Sequence, residues 1–229
     1  MEEESCWEVL SGIAAQRATL LAKRLTENCP ARDLIAWLHD DLLSVVHAFA
    51  NQSKLSESLY QATRDTLKLA SQVLEPNESQ GKLPSTDDAI SVLLEQGDVY
   101  VLSKPAGWNV SVAWDEATLP EASHFSRGNH VQDWLMQHFN AAFSVVNDKA
   151  AQHGIIHRLD VNTSGTLLCA KTYLGYFLAQ LEFVARRVQK YYVCVCSGHW
   201  PHASPGLLLH PLLESEDDAE VCTLVSERG

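Results

Sequence analysis

The sequence has 229 residues, of which 46% are hydrophobic, so it is long enough to bury one sizeable core or a core with a smaller helical unit. It carries 17 basic and 29 acidic residues, a net charge of −12, which disfavours nucleic-acid binding over most of the chain. The acidic excess lies towards the two ends. Residues 99–200 carry eight basic and seven acidic side chains, so a basic surface is expected in this middle part.

The sequence also indicates the environment of the protein. No run approaches 18 apolar residues, and the acidic amino terminus is unlike a secretory signal or a transit peptide. Six cysteines occur without a C-x-x-C pair, which favours free thiols in a reducing compartment. We therefore expect a soluble intracellular protein that binds no membrane, with the choice between a cytoplasmic, organellar or nuclear location left open.

Apolar residues at helical spacing mark the first part of the chain. One amphipathic stripe is expected to end near Cys29-Pro30, a second runs from Leu34 to Asn51, and a third runs from Leu55 to just before Pro76. Short connections predict a small helical bundle over residues 1–75. Such an extension is typical of a scaffold, and it offers a surface for a protein partner.

Residues 76–88 are polar and interrupted by Pro and Gly, which predicts a linker. After it the pattern changes to short strands and helices without regular βαβ alternation, which predicts an α+β fold with a mixed or antiparallel sheet. Gln96-Gly97-Asp98 is expected to form the turn of a hairpin. Further strands are predicted at Gly154–His157, Thr166–Ala170 and Val188–Cys196, and helices at Val131–Phe139 and Tyr173–Ala185.

The stretch Gly154–Thr172 is the strongest candidate for a site, because it places His157, Arg158 and Asp160 between two apolar runs. A carboxylate in such a loop fits a nucleophile, a general base or a metal ligand. Spacing alone favours a structural explanation, an Arg–Asp pair that braces a turn. A metal site with His153 is disfavoured, because residues three apart on a strand point to opposite sides.

The identities of the residues add to this pattern. His157-Arg-Leu-Asp160 followed by Thr163-Ser-Gly165 resembles the signature of the RluA-type family of RNA pseudouridine synthases. Two weaker segments agree in order and distance with that family: Lys104-Pro-Ala-Gly107 resembles its Lys-Pro-x-Gly turn, and Val188-Gln-Lys-Tyr-Tyr192 resembles its Val-x-Lys-x-Tyr strand. The resemblance covers roughly residues 90–200.

The resemblance implies an isomerase, an intramolecular transferase that converts uridine to pseudouridine in structured ribosomal or transfer RNA without a metal or an organic cofactor. It implies that Asp160 is the catalytic nucleophile, that Arg158 fills the gap left by an extruded nucleotide, and that Tyr192 stacks on the uracil. His157 is a further expected RNA-binding residue. The candidate phosphate contacts are Lys104, Lys171, Arg186, Arg187 and Lys190.

The domain boundaries follow from this reading: a helical extension over 1–75, a linker over 76–88, a partial pseudouridine-synthase-like catalytic domain over 89–200 and an acidic tail over 201–229. The tail lacks a segment like the family's Gly-Arg-x-His-Gln-Ile-Arg, whose arginine pairs with the catalytic Asp. We therefore expect a shortened catalytic domain. The alternative function is a catalytically inactive relative that binds RNA or a protein.

Overall fold

The computed structural model describes residues 2–28, 30–75, 89–110, 129–139, 142–195, 212–217 and 220–225. Its internal contacts divide the chain into two units, Met1–Gln189 and Lys190–Gly229, and each is described here by itself. The predicted linker, residues 76–88, lies outside the described residues, so the division of the chain into domains stays a prediction.

The first unit begins with four helices: α1 (Glu2–Asn28), α2 (Ala31–Trp37), α3 (Ser44–Asn51) and α4 (Glu57–Leu74). A π-helical turn, Leu38–Leu43, joins α2 and α3, so the second predicted helix is confirmed as one helical rod with a π turn in its middle. Ser56 caps α4 by accepting a hydrogen bond from the Leu59 amide. The three predicted helices are therefore confirmed.

A three-stranded antiparallel sheet follows, in the order β1 (Ser91–Gln96), β2 (Val99–Lys104) and β5 (Gly165–Ala170). Gly97, at a positive φ of 54°, makes the predicted hairpin turn between the first two strands. The pairing of β2 with β5 runs from Val99 opposite Ala170 to Lys104 opposite Gly165. This register brings the segment after β2 to the same end of the sheet as the loop before β5.

The remaining elements frame this sheet. A short parallel pair, β3 (Trp108–Asn109) and β4 (Asn129–His130), precedes α5 (Val131–Phe139), and α6 (Tyr173–Val184) follows β5. Both helices were predicted. Together with the antiparallel sheet they confirm the α+β class. The second unit contains a hairpin of β6 (Leu212–Asp217) and β7 (Glu220–Val225).

Two predicted strands are wrong within the described residues. At Gly154–His157 the chain ends a 3-10 turn, Gln152–Gly154, and then forms a single bridge between Ile155 and Cys169. Three consecutive positive φ angles at Gln152, His153 and Gly154 prevent a regular strand there. Residues 188–195 carry no strand, because their backbone groups form no ladder with another described strand.

The helices and the sheet of the first unit share one hydrophobic core. Leu34 and Leu38 from the helical rod belong to the same buried cluster as Tyr100 from β2 and Phe177 from α6. Alternating burial along β2 turns Tyr100, Leu102 and Lys104 inward. No helix in the described part of the chain is long and apolar enough to cross a membrane.

Candidate active site

The loop that carries Arg158 and Asp160 is the turn between an extended segment and β5. The Ile156 amide donates to the Leu168 carbonyl over 3.2 Å, and the Thr163 amide donates to the Asp160 carbonyl over 3.0 Å, which closes the turn. Leu159 is buried, whereas Arg158 and Asp160 on either side of it are exposed. Burial of the leucine thus anchors the loop and leaves the two charged side chains at the surface.

Lys104 lies beneath this loop and is only 1% exposed. Its Nζ donates to three backbone carbonyls, those of Pro105 at 3.0 Å, Val161 at 3.2 Å and Thr163 at 2.8 Å. An ammonium has three donors, so all of them are used within the protein. The predicted phosphate contact of Lys104 is therefore not part of this geometry, and Lys104 instead holds the loop in place.

A second bond ties the Lys-Pro-Ala-Gly turn to the same loop. The Gly107 amide donates to the Val161 carbonyl over 2.8 Å, and Gly107 has a positive φ of 83°, a conformation that favours glycine. Lys104 and Gly107, at the β2 side of the same sheet end, thus both bond to the backbone of the loop. Two of the segments on which the resemblance rests, far apart in sequence, are in contact.

The electrostatics of the loop also involve Lys104. Burial lowers the pKa of the Lys104 ammonium below its usual value, and the negative charge of Asp160 opposes that shift by raising the pKa. A positive charge therefore lies near Asp160 and is supplied by the last residue of β2. The family pattern places the cation that pairs with Asp160 in the carboxyl-terminal tail and does not point to Lys104, although alternation with Tyr100 and Leu102 marks this lysine as inward-facing.

His157 packs into the protein rather than projecting from it. Its Nε2 accepts a hydrogen bond from the Leu168 amide at 3.1 Å, so the ring carries its proton on Nδ1 when neutral. The imidazole stacks on Phe183 of α6, with ring centroids 5.2 Å apart. The Gln180 side chain, also on α6, donates to the Ile156 carbonyl over 3.0 Å. Helix α6 therefore braces the segment that leads into the loop.

The other predicted phosphate contacts have different surroundings. Lys171 forms a 2.8 Å ion pair with Glu95, and Arg187 forms a 3.1 Å ion pair with Glu57. Arg158 is exposed and forms no hydrogen bond or ion pair with a residue that the structure describes. Arg158 is thus an exposed cation two residues from Asp160, and its predicted contact with RNA stays a prediction.

His153 was weighed as a metal ligand with His157 and Asp160. Its side chain is buried, and its Nδ1 lies 2.8 Å from the Val146 carbonyl, so this ring nitrogen makes its hydrogen bond inside the protein. Within the described ranges, no group of three or more His, Cys, Asp or Glu side chains is arranged to hold a metal ion.

A comparison of the sequence with known protein families gives a match to the family described as RNA pseudouridylate synthase. The match covers residues 98–222, more than half of the chain. The chain belongs to the RNA pseudouridylate synthase family. The match includes β2, the Asp160 loop and β5. It also reaches beyond residue 200, where the sequence analysis placed the end of the resemblance, and takes in the β6 strand.

Several relatives of this pseudouridylate synthase family member carry the name ribosomal large subunit pseudouridine synthase. Ribosomal large subunit pseudouridine synthase D of Borreliella burgdorferi is 33% identical over 48% of this chain and 31% of its own length. Synthase C of Vibrio cholerae is 29% identical over 66% of this chain and 44% of its own length. Synthase D of Pseudomonas aeruginosa is 28% identical over 83% of this chain and 52% of its own length.

The chain therefore spans between about a third and about half of the length of these curated relatives. No solved structure matches it significantly. Lys190 and Tyr192, the remaining predicted site residues, belong to the second unit, where Tyr192 is 63% exposed. Their predicted contacts with RNA stay predictions.

Proposed function

We propose that this chain isomerises uridine to pseudouridine in large-subunit ribosomal RNA, with Asp160 as the nucleophile. Three findings support the proposal: membership of the pseudouridylate synthase family, the names of the relatives, and the geometry of the loop. The observation that carries it is the exposed Asp160 carboxylate on a loop that buried Lys104 holds from below. A reacting group needs this kind of fixed support, because a displacement of about 1 Å can cost on the order of 100-fold in rate.

The reaction requires the uracil to leave its ribose carbon, turn over and rejoin that carbon through C5. The bond from the ribose to N1 breaks and N1 takes up a proton, while the bond from the ribose to C5 forms and the proton on C5 is released. Any bond that the nucleophile forms to the substrate breaks again in the same cycle. In the proposal, the Asp160 carboxylate supplies the nucleophile for this exchange. No redox step or external group donor is needed, because product and substrate have the same atoms.

The uridine must leave its stack before it can reach Asp160, and extrusion costs a few kcal/mol. In our proposal the exposed guanidinium of Arg158, two residues away, fills the space left in the RNA and so offsets part of this cost. Tyr192 is proposed to stack on the flipped uracil, which is worth about 1–3 kcal/mol for an aromatic–base contact. Lys190 is proposed to contact a phosphate. Lys104 and His157 are assigned to the support of the loop.

The direct test uses large-subunit ribosomal RNA labelled with tritium at C5 of uridine. The proposal predicts that the full chain releases tritium from this RNA. Because pseudouridine has the same mass as uridine, a chemical label specific for pseudouridine then locates the modified position. Transfer RNA labelled in the same way is the comparison substrate. Faster tritium release from transfer RNA would contradict ribosomal RNA as the substrate but would still support the isomerase activity. Salt-dependent RNA binding without any release would instead support the alternative, a catalytically inactive RNA-binding relative.

A further inference from the structure

An apolar groove lies on the helical part of the first unit, away from the Asp160 loop. It has a volume of about 410 Å³, within the range of sites that hold a partner group rather than a packing defect. Its walls come from α1 on one side and from the rod of α2, the π turn and α3 on the other. The lining includes Trp7, Leu10, Ile13, Trp37, Val45 and Phe49.

Helix α1 presents more apolar surface than its packing within the chain uses. Among the side chains of α1 whose burial the structure describes, the buried ones are small, Ser11, Ala15 and Ala18, whereas Leu10 and Ile13 are 47% and 53% exposed. Leu20 is 67% exposed. The positions 10, 13, 17 and 20 follow the spacing of three, four and three residues that marks the seam of paired helices. This stripe is therefore suited to packing against another helical surface.

The π turn lies in the opposite wall of the groove. Asp41 and Leu42, both in this turn, line the groove together with Trp37 just before it. A π turn interrupts the regular hydrogen bonding of an α-helix and is frequently found at functional sites. Here it brings the Asp41 carboxylate to the edge of a largely apolar surface.

One cation and one anion face this groove from its two walls. Arg17 lies in the middle of the α1 stripe, and Asp41 lies in the π turn. Neither forms an ion pair with any residue in the part of the chain that the structure describes. A surface that fits the groove must therefore carry an apolar stripe with one cation, to meet Asp41, and one carboxylate, to meet Arg17.

The chain itself has such a surface. We propose that two copies pair through this groove about a twofold axis, with the α1 stripe of each copy in the groove of the other. In such a symmetric interface the same patch is used twice, so Arg17 of each copy meets Asp41 of the second copy. The exposed leucine and isoleucine side chains of α1 then become buried, and both unpaired charges gain partners.

The pairing is tested with three samples of the full chain: Arg17→Glu, Asp41→Arg, and an equimolar mixture of the two. Each variant alone places like charges opposite each other twice in the dimer, and we expect its dissociation constant to rise by about tenfold or more. In the mixture both contacts again join opposite charges. Sedimentation or light scattering should therefore give a mass near twice the 25.4 kDa of one chain for wild type and for the mixture, and a lower average mass for each variant.

An apolar variant and its control complete the test. Ile13→Glu should also yield monomer, whereas Val73→Glu, an exposed position on α4 outside the groove, should leave the dimer intact. Far-UV circular dichroism verifies that each variant is folded. A wild-type monomer at every concentration overturns the proposal, and so does a dimer that the mixture fails to restore. In the first case the groove belongs to a different occupant.

Discussion

Lys104 is the residue on which the position of the Asp160 loop depends most. Burying an ammonium is costly, and here three carbonyl acceptors offset the cost. Two of these acceptors, Val161 and Thr163, belong to the loop. The same side chain therefore stabilises the fold and fixes the proposed nucleophile.

Lys104→Met tests this role. It keeps the length of the side chain but removes the ammonium donor from the Pro105 and Thr163 carbonyls and leaves the Val161 carbonyl with the Gly107 amide alone. The free energy of unfolding should therefore fall by about 1–3 kcal/mol. In the proposed enzyme, kcat/KM should fall on the order of 100-fold, because the loop is no longer held. Urea unfolding and tritium release measure the two effects. The control is Lys149→Met at an exposed position, which should change the free energy of unfolding by less than about 0.5 kcal/mol. Equal stability of Lys104→Met and wild type would contradict the role of Lys104 in holding the loop.

His39 in the π turn gives a pH-dependent prediction. Burial against Tyr176 and Phe177 lowers the pKa of His39 below 6.5, although Asp40 opposes this shift. In the window between the folded pKa and 6.5, the unfolded chain binds more protons, so the free energy of unfolding should fall as pH drops through that window. His39→Gln should reduce this slope and the exposed His47→Gln should not. Urea unfolding at several pH values measures these slopes. The same pH dependence of the free energy of unfolding in wild type and His39→Gln would contradict this prediction.

The sequence around Lys104 and His157 carries information on their burial that the family motifs do not give. Lys104 continues the inward positions of Tyr100 and Leu102, so strand alternation predicts its burial, whereas a charge count predicts a surface cation. His157 follows apolar Ile155 and Ile156, but its stacking on Phe183 depends on where α6 lies. The local sequence around His157 therefore cannot predict its contact with Phe183.

Among the elements, α6 connects the sheet, the helices and the loop. Thr172 caps it by accepting from the Gly175 amide, and the same hydroxyl donates to Asp98. Gly175 allows α6 to approach the β1–β2 turn closely: a Cβ there would lie 2.7 Å from the Cβ of Asp98 and closer still to its carbonyl oxygen. The glycine is needed for a backbone contact, not for a turn.

Gly175→Ala should therefore destabilise the protein by about 1–3 kcal/mol through overpacking, despite the higher helix propensity of alanine. The matched control is Gly12→Ala in α1, where an added Cβ meets nothing within 4 Å. That substitution should raise the free energy of unfolding by about 0.5–1 kcal/mol. Chemical denaturation of the two variants measures the contrast. Stabilisation by both alanines would show that α6 lies farther from Asp98 than described.

Apolar residues at a spacing of three and four predict α1, the helical rod and α4. Helices α5 and α6 are also predicted, although α6 is apolar on most of its circumference. The π turn was not predicted, since Leu38, Leu42 and Leu43 fit an ordinary helix equally well. The strand predicted at Gly154–His157 failed for a different reason. Its apolar residues fit a strand, but the preceding positive φ angles are set by the turn that buries His153.

On the scale of the first unit, the helices are packed into the same core as the sheet. The Tyr60 hydroxyl on α4 donates to Glu182 on α6, and the Arg187 guanidinium lies 3.6 Å above the Tyr60 ring. Sequence composition separated residues 1–75 from the rest at the polar stretch 76–88. The contacts of α4 with α6 involve residues more than a hundred positions apart, so no local pattern could reveal them.

A shared core predicts cooperative unfolding of the helices and the sheet. Leu34→Ala in α2 and Phe139→Ala in α5 both remove fully buried side chains, and should each cost about 2–5 kcal/mol. Both should shift the same transition, followed by circular dichroism and by tryptophan fluorescence. Two separate transitions, with Leu34→Ala affecting only one of them, would show that the helices fold as an independent domain.

The central claim is that Asp160 is the nucleophile of an RNA pseudouridine synthase. The most direct measurement compares tritium release and RNA binding in wild type, Asp160→Asn and Asp133→Asn, the last an exposed carboxylate on α5. We expect Asp160→Asn to lose at least about a thousandfold in tritium release and to keep its RNA affinity, with Asp133→Asn unchanged. Tritium release by Asp160→Asn at the wild-type rate would contradict the claim.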